Sequence, residues 1–549
     1  MDALTGEGLP FATLAYGGEG AYTNADGEYA LTPGTADSVF ISFIGYTTQA
    51  TTLAALRADP VARLQAGVAQ LTEIVVRGED ERLYRMLQRC RDDLRQWPGS
   101  VAKGYFQLAT TLDGMPVEFM QNYYNVNFSG TGIAALSLKA GRVAVHTKDS
   151  ISYRSLGTSQ SIARLTLTER VPDFGDHPLQ LTRGALKRNY YLSEVPEFSD
   201  AQTIHLRFEP KREGRQLFSG ELWMDATTAR LRKLVLRHPA LVQHPLSPIS
   251  DDDRIGAFDV EFVYTFAGRL LRSLQWQFSY DHHTRTADRG VVTNRVAADC
   301  SLICFDTEVP FFPPRISYSG DYGDYRKLAF FPYTPLFWEH APQVPLTDRQ
   351  RRQMQALGME EHRIDYEGTV DTLAAGGPVV EVTRNGRNVF WSPEWRYLHK
   401  RPAPKHLIED PGFASERDMP SIQIFLDAFP LGDSMVYSSA TFLDVYATQL
   451  TVPPAKEFNA ALNLYFDLCE VTRRELMDEL RAAGNPDPDF INQTYDRHLA
   501  TLNAIGRRFF REVRRGMDQQ SMERYNRLVV EKLGINNLRI FKMYEYAWE

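Results

Sequence analysis

Apolar and polar residues alternate with period two through much of the chain between Val101 and about Ser317. Phe258, Val260, Phe262, Tyr264 and Phe266 are separated by mostly polar positions, as are Leu274, Trp276, Phe278 and Tyr280, and Ile204, Leu206 and Phe208. Successive side chains of a strand point to opposite faces, so each run predicts a strand with one buried face. The run from Gly220 to Asp225 turns at Ala226-Thr227-Thr228 and returns through Leu231, Leu234 and Leu236, which predicts a hairpin. Long antiparallel strands sharing one apolar face predict a strongly curved sheet wrapped on a core. Trp276, Phe262 and Trp223 are expected to face inward or to line a groove.

Helical spacing replaces the alternation on either side. Leu83, Met86, Leu87, Cys90 and Leu94 recur at helical intervals and predict a helix over 79–97, stopped by Pro98-Gly99. Near the C-terminus, Phe458, Leu462, Phe466, Cys469, Leu476 and Leu480 mark one apolar stripe. Tyr495, Leu499, Leu502, Phe509 and Val513 mark a second, and Tyr525, Leu528, Val529 and Leu533 a third. The short connections hold Gly484, Pro486, Pro488 and Gly516, which suit helix ends. Short connections favour antiparallel neighbours, so a compact bundle packed through Phe466, Phe509 and Leu528 is expected. Between 360 and 450 the pattern mixes short strands and loops, with a strand from Ser421 to Phe425 and a turn at Asn385-Gly386.

The first 78 residues read as short strands joined by turns. Thr5-Gly6-Glu7-Gly8-Leu9-Pro10-Phe11-Ala12 leads into an apolar segment, and Asn24-Ala25-Asp26-Gly27 is a hairpin signal. Ser38 to Phe43 is β-branched and aromatic, Ile44-Gly45-Tyr46 turns, and Leu71-Thr72-Glu73-Ile74-Val75-Val76 is a further strand. This order resembles the carboxypeptidase-regulatory-like domain, a small transthyretin-like β-sandwich common at the front of Bacteroidota envelope proteins. The resemblance implies a secreted protein whose chain, with Met1 directly before Asp2, starts inside the first strand of the module. Phe337-Trp338-Glu339 followed by Val344-Pro345-Leu346-Thr347 is similar to a segment of an uncharacterised Bacteroidota outer-membrane family. That family continues into a membrane β-barrel, whereas the C-terminal third here reads as helical. The central strand-turn-strand style weakly resembles the open half-barrel of lipoprotein-carrier proteins.

The expected fold is therefore α+β: an N-terminal β-sandwich, a central curved antiparallel β-sheet and a C-terminal helical bundle. The expected domains are 1–78, a linker helix over 79–99, a sheet domain over 100–347 with a Pro- and aromatic-rich end, and a mixed, then helical domain over 348–549.

Composition narrows the function. The 61 basic and 69 acidic residues leave a net charge of −8, which argues against a general nucleic-acid surface. No run approaches the ~18 apolar residues that span a bilayer, and no basic-then-apolar signal segment is present. Cys90, Cys300, Cys304 and Cys469 are scattered and form no CxxC pair, so buried thiols are expected.

Candidate chemistry is sparse. The chain has no HExxH and no Gly-x-Ser-x-Gly. His282 and His283 are adjacent, near a strand end, and are expected as surface histidines on opposite faces. His399 and His406 flank Lys400-Arg401-Pro402-Ala403-Pro404-Lys405, a solvated loop by composition. Asp251-Asp252-Asp253 lacks the alternating ligands and glycine of a calcium loop. Ser129-Gly130-Thr131-Gly132 has no following Lys-Ser or Lys-Thr and reads as a turn. Asp467 and Glu470 share a helix face, with Glu470 set to pair with Arg474 at the surface. Arg507, Arg508, Arg511, Arg514 and Arg515 flank Phe509-Phe510, either as solvated arginines on a packed helix or as a membrane-surface face.

No residue is assigned as catalytic, cofactor-binding or metal-binding, and no cofactor is expected. The expected function is a non-catalytic cell-envelope binding or scaffolding protein, periplasmic or outer-membrane associated. Its partner would be an envelope glycan, lipid or protein, with no nucleic acid and no transmembrane span. The alternative is an envelope hydrolase or carbohydrate-active enzyme with an accessory β-sandwich.

Overall fold

A computed structural model describes residues 1–65, 80–145, 166–357, 389–391 and 420–544. Interruptions fall at 17–18, 32–37, 44–45, 172–173, 196–201, 213–215, 243–252, 257, 287–289, 306, 317–323, 329–330, 333, 342–343, 444–447 and 449–454, and residue 393 is described alone. The fold is α+β, with antiparallel sheets and C-terminal helices. The chain forms two compact units, Met1–Phe311 with Ala341–Gly368, and Phe312–His340 with Thr369–Glu549.

The first unit begins with a four-stranded antiparallel sheet in the order β2-β1-β3-β4, from β1 (Thr13–Tyr16), β2 (Glu19–Tyr22), β3 (Ser38–Ser42) and β4 (Gln49–Thr52). Alternation places Leu14, Val39 and Ile41 on one face, where they pack with Leu9, Ala12, Leu56 and Leu64. Thr52 caps the short helix α1 (Leu53–Ala58), accepting from the Ala55 N–H. The Asn24 side chain accepts from the Asp26 and Glu28 N–H groups, which forms the turn expected there. The expected strand Leu71–Val76 lies outside the described residues.

Helix α2 (Glu81–Arg95) follows, capped by Asp80, with Leu83, Met86, Leu87, Cys90 and Leu94 all buried as their spacing requires. Then comes an eleven-stranded antiparallel sheet. Its strands are β5 (Ser100–Leu112), β6 (Met115–Ser129), β7 (Gly132–Val145), β8 (Tyr190–Glu194), β9 (Thr203–Pro210), β10 (Ser219–Asp225), β11 (Leu231–Leu241), β12 (Asp253–Ile255), β13 (Phe258–Ala267), β14 (Leu270–Thr286) and β15 (Gly290–Phe305). The order is β7-β6-β5-β15-β14-β13-β11-β10-β9-β8, with β12 beside β14. A helix, α3 (Arg183–Asn189), precedes β8.

The sheet is sharply curved. Phe128 on β6 and Phe266 on β13 have three strands between them, yet their ring centroids are 6.1 Å apart. Four steps across a flat sheet would separate them by roughly 19 Å. Trp97, just beyond α2, fills the inside of the bend, with its ring 5.6 Å from Phe266 and 6.4 Å from Phe128. The Tyr84 hydroxyl of α2 donates to the Tyr190 carbonyl at 2.8 Å, fixing the other end of the helix. At Gly130, in the β6–β7 turn, a Cβ would overlap the Leu94 carbonyl, so helix and turn touch backbone to backbone.

The second unit holds α4 (Asp324–Leu328) and α5 (Pro335–His340), whereas α6 (Asp348–Ala356) belongs to the first. Residues 312–340 of the Pro- and aromatic-rich stretch thus pack with the C-terminal elements, Phe331 on Phe425 and Phe337 on Phe429, whereas Phe311 packs on Tyr123 of β6. Strands β16 (Val389–Phe390), β17 (Ile422–Leu431) and β18 (Ser434–Leu443) form a small antiparallel sheet. Helix α7 (Lys456–Ala482) is buried along most of its length, flanked by α8 (Pro488–Val513), α9 (Gln519–Leu533) and the short α10 (Asn537–Ile540). Gly484 and Gly516 have positive φ at the helix ends, as expected. Phe466 and Phe509 are buried, but Leu528 is 39% exposed, because its neighbour Val529 is the residue that turns inward.

Candidate functional site

The inner face of the large sheet carries one continuous apolar row. Met120, Leu108, Cys300, Trp276, Phe262 and Leu236 lie opposite one another on six successive strands, and all are buried. Phe262 and Trp276 face inward as expected, with centroids 6.4 Å apart. Trp223 does not. Leu222 and Met224 take the inner face, so Trp223 stands on the outer one, stacked 4.0 Å from the His205 ring.

A few polar groups interrupt the inner face. Thr110 donates to Glu118 at 2.6 Å, and both side chains are buried. Asn122 donates to the Tyr124 hydroxyl at 2.7 Å. The Trp276 indole N–H is buried and meets no acceptor among the described residues. Burial, reinforced by the charge of Glu118, pushes the Cys300 thiol well above its ordinary range. A neutral buried thiol is a packing group, not a nucleophile.

The outer face has a polar cluster on β9, β10 and β11. His205 Nε2 lies 3.1 Å from Glu221, and the Lys233 ammonium sits 4.7 Å above the Trp223 ring. Arg237 bridges Glu261 at 2.5 Å and Glu221 at 3.5 Å. The His205 bond, then the nearby arginines, hold the Glu221 carboxyl below its usual range, and burial lowers Lys233. Each charge has an opposite partner, so the cluster is built as a cross-strand network. Sequence reasoning missed it, although Glu221 and Trp223 share a parity that marks an outward face. On β5–β7 the same face is covered by α6, with Leu346, Met354 and Leu357 on Ala109, Phe119 and Ala144.

Among the described residues, several clefts open in the first unit. One of 720 Å³ is lined by residues of the N-terminal sheet and its flanking segments. Its lining includes the core residues Leu14, Ile41, Leu9 and Leu64, the flanking Leu53, Leu56 and Val61, and the charged Asp26, Glu28 and Arg57. A second, 410 Å³, is lined by Phe43, Tyr46, Phe266, Asp225, Arg230 and Arg232, and a third of 220 Å³ includes Tyr22 and Arg272.

The remaining sequence candidates separate. His282 is not a surface residue: it lies within β14 and is fully buried, while His283 faces the other way and meets the Thr293 hydroxyl at 2.8 Å. Asp467 and Glu470 are not a surface pair either. Glu470 is 1% exposed and accepts from Thr441, Arg473 and Arg474. Asp467 accepts from the Trp391 indole at 2.7 Å and the Asn537 amide at 2.6 Å. Ser129–Gly132 is the turn between β6 and β7. His399, His406, Asp251 and Asp252 lie outside the described residues. Among the described residues, no three His, Cys, Asp or Glu side chains are grouped to hold a metal ion, and no helix is long and apolar enough to cross a membrane. All four cysteines are buried and free.

No protein family matches the chain, and no curated protein resembles it. Solved structures similar in part include MucB, with 10% identity over 41% of this chain and 93% of that one, at a TM-score of 0.16. The Pseudomonas aeruginosa MucA/MucB complex covers 40% and 92% at 10% identity and a TM-score of 0.15. MucB with MucA(peri) covers 40% and 93% at 11% identity and a TM-score of 0.13. At these scores the likeness carries no argument about this chain.

Proposed function

We propose that the protein is a non-catalytic binding or scaffolding component of the cell envelope, periplasmic or outer-membrane associated. Residues 1–78 would form a carboxypeptidase-regulatory-like sandwich of the kind found in Bacteroidota envelope proteins. The four-stranded antiparallel sheet and the Asn24–Gly27 turn support that reading of the module. The observation that carries a binding role is the 720 Å³ cleft lined by this sheet and its flanking segments. Its size falls within the roughly 300–1,000 Å³ range of small-molecule sites, and its lining is largely apolar. Such a lining favours an apolar ligand of lipid-like character, with Asp26, Glu28 and Arg57 offering charge.

The test is titration of the full chain with an environment-sensitive apolar fluorophore such as N-phenyl-1-naphthylamine. Binding is expected in the wild type and is expected to fall at least several-fold in Leu53→Trp, which puts an indole into the cleft from a half-buried lining position. Equal binding by the two proteins, with unchanged melting, would refute the cleft as the site.

A further inference from the structure

The turn between α8 and α9 combines three unusual features. The first is backbone conformation: Arg514, Arg515 and Gly516 have φ of 46°, 58° and 85°, three consecutive left-handed residues of which two carry side chains. L-residues reach that region only at a cost. Neighbouring groups hold the turn in place. A Cβ at Gly516 would overlap the Glu457 carbonyl, and the Tyr544 hydroxyl donates to the Gly516 carbonyl at 2.9 Å. The Arg515 guanidinium lies 5.9 Å over the Phe458 ring.

The second feature is the residue this turn presents. Met517 is 72% exposed, the most exposed large apolar side chain described in the second unit. The third is charge. Arg511 and Arg514 are exposed and make no ion pair among the described residues. Lys456 and Lys542 join them at the same end, tied together by the bond from the Lys456 ammonium to the Lys542 carbonyl. Several of the described acids at this end have partners. Glu512 binds Arg508, Arg524 and Tyr525, Asp518 caps α9 through the Ser521 N–H, and Glu523 accepts from Gln519. Glu457 is a further described acid, and with Glu523 and Asp518 its charge acts on Tyr544. The chain as a whole is acidic, at −8, so a basic end with an apolar tip stands out against it.

We propose that this turn is a docking tip for an anionic lipid surface. Met517 enters the headgroup layer while Arg511, Arg514, Lys456 and Lys542 contact lipid phosphates. The two signals reinforce each other, since a single apolar side chain or a few cations alone binds membranes weakly. A fixed, strained turn that aims one apolar side chain into water fits this role, and strain of this kind marks functional positions. An acidic protein partner would use the arginines but would not need Met517 outward. The inference is independent of the ligand assigned to the N-terminal cleft.

The experiment is flotation of the full chain with phosphatidylcholine vesicles, with and without phosphatidylglycerol. The wild type is expected to float only with the anionic vesicles and to be released by salt. Arg511→Gln with Arg514→Gln should lower partitioning by roughly tenfold or more. Met517→Ser should also lower it, and Arg481→Gln at the far end of α7 should leave it unchanged. Circular dichroism melts establish that the exposed substitutions leave the fold intact. No flotation with anionic vesicles, or flotation indifferent to Met517, overturns the proposal. The second outcome would reduce the turn to a purely electrostatic contact without apolar insertion.

Discussion

His177 illustrates how a single buried side chain can set a pH dependence. It lies before α3, fully buried, with Nε2 3.5 Å from the Thr166 carbonyl. Burial outweighs that contact and lowers its pKa from 6.5 to about 4. A histidine in the unfolded chain protonates near pH 6.5, while this one stays neutral until about pH 4. The folded pKa is depressed, so the linked stability is present above pH 6.5 and is lost as pH falls toward 4. The shift corresponds to about 3 kcal/mol, as an order of magnitude. Urea unfolding between pH 7 and pH 4 should show wild type losing more stability than His177→Gln. Parallel losses in the two proteins would contradict the assignment.

Elements were legible where one periodicity ran unbroken and obscure where the partner lay far along the chain. Helix α2 and strands β13 and β14 follow directly from Leu83–Leu94, Phe258–Phe266 and Leu274–Tyr280. Trp223 was misplaced because an aromatic was expected inside, although Leu222 and Met224 already occupied that parity. Leu528 and Val529 are adjacent, and only packing decides which turns inward. The clefts are tertiary features with no periodic signal. Asp467 and Glu470 looked like surface acids because their partners, Trp391, Thr441 and Asn537, are distant in sequence. That network is also a test of how the second unit is assembled. Asp467 joins β16, α7 and α10 through the Trp391 and Asn537 bonds. Asp467→Ala leaves both donors without this acceptor and should destabilise the unit by about 2–4 kcal/mol. Trp391 emission should shift to the red below the global unfolding transition, as β16 loosens first. An unshifted emission maximum and an unchanged melt would mean that the network is not holding these elements.

At the scale of the molecule, the division of the core matters more than the linear order of segments. The chain leaves the first unit after Phe311, contributes 312–340 to the second, and returns before α6. Each unit has buried apolar residues of its own: the Leu108–Trp276–Phe262 row in the first, and a cluster around Leu464, Phe466 and Phe509 in the second. Two separate cores predict two cooperative transitions by scanning calorimetry, since domains with their own cores unfold as units. Phe262→Ala removes a fully packed ring and should cost the first unit roughly 3–5 kcal/mol. Leu464→Ala, at a site with no exposure, should cost the second unit about 2–5 kcal/mol. Each substitution should lower one transition and leave the other in place. If either variant lowers a single common transition, the crossover segments 312–340 and 341–368 have joined the two cores into one cooperative body. The chain would then have to be treated as one domain for every stability argument, including the pH dependence assigned to His177.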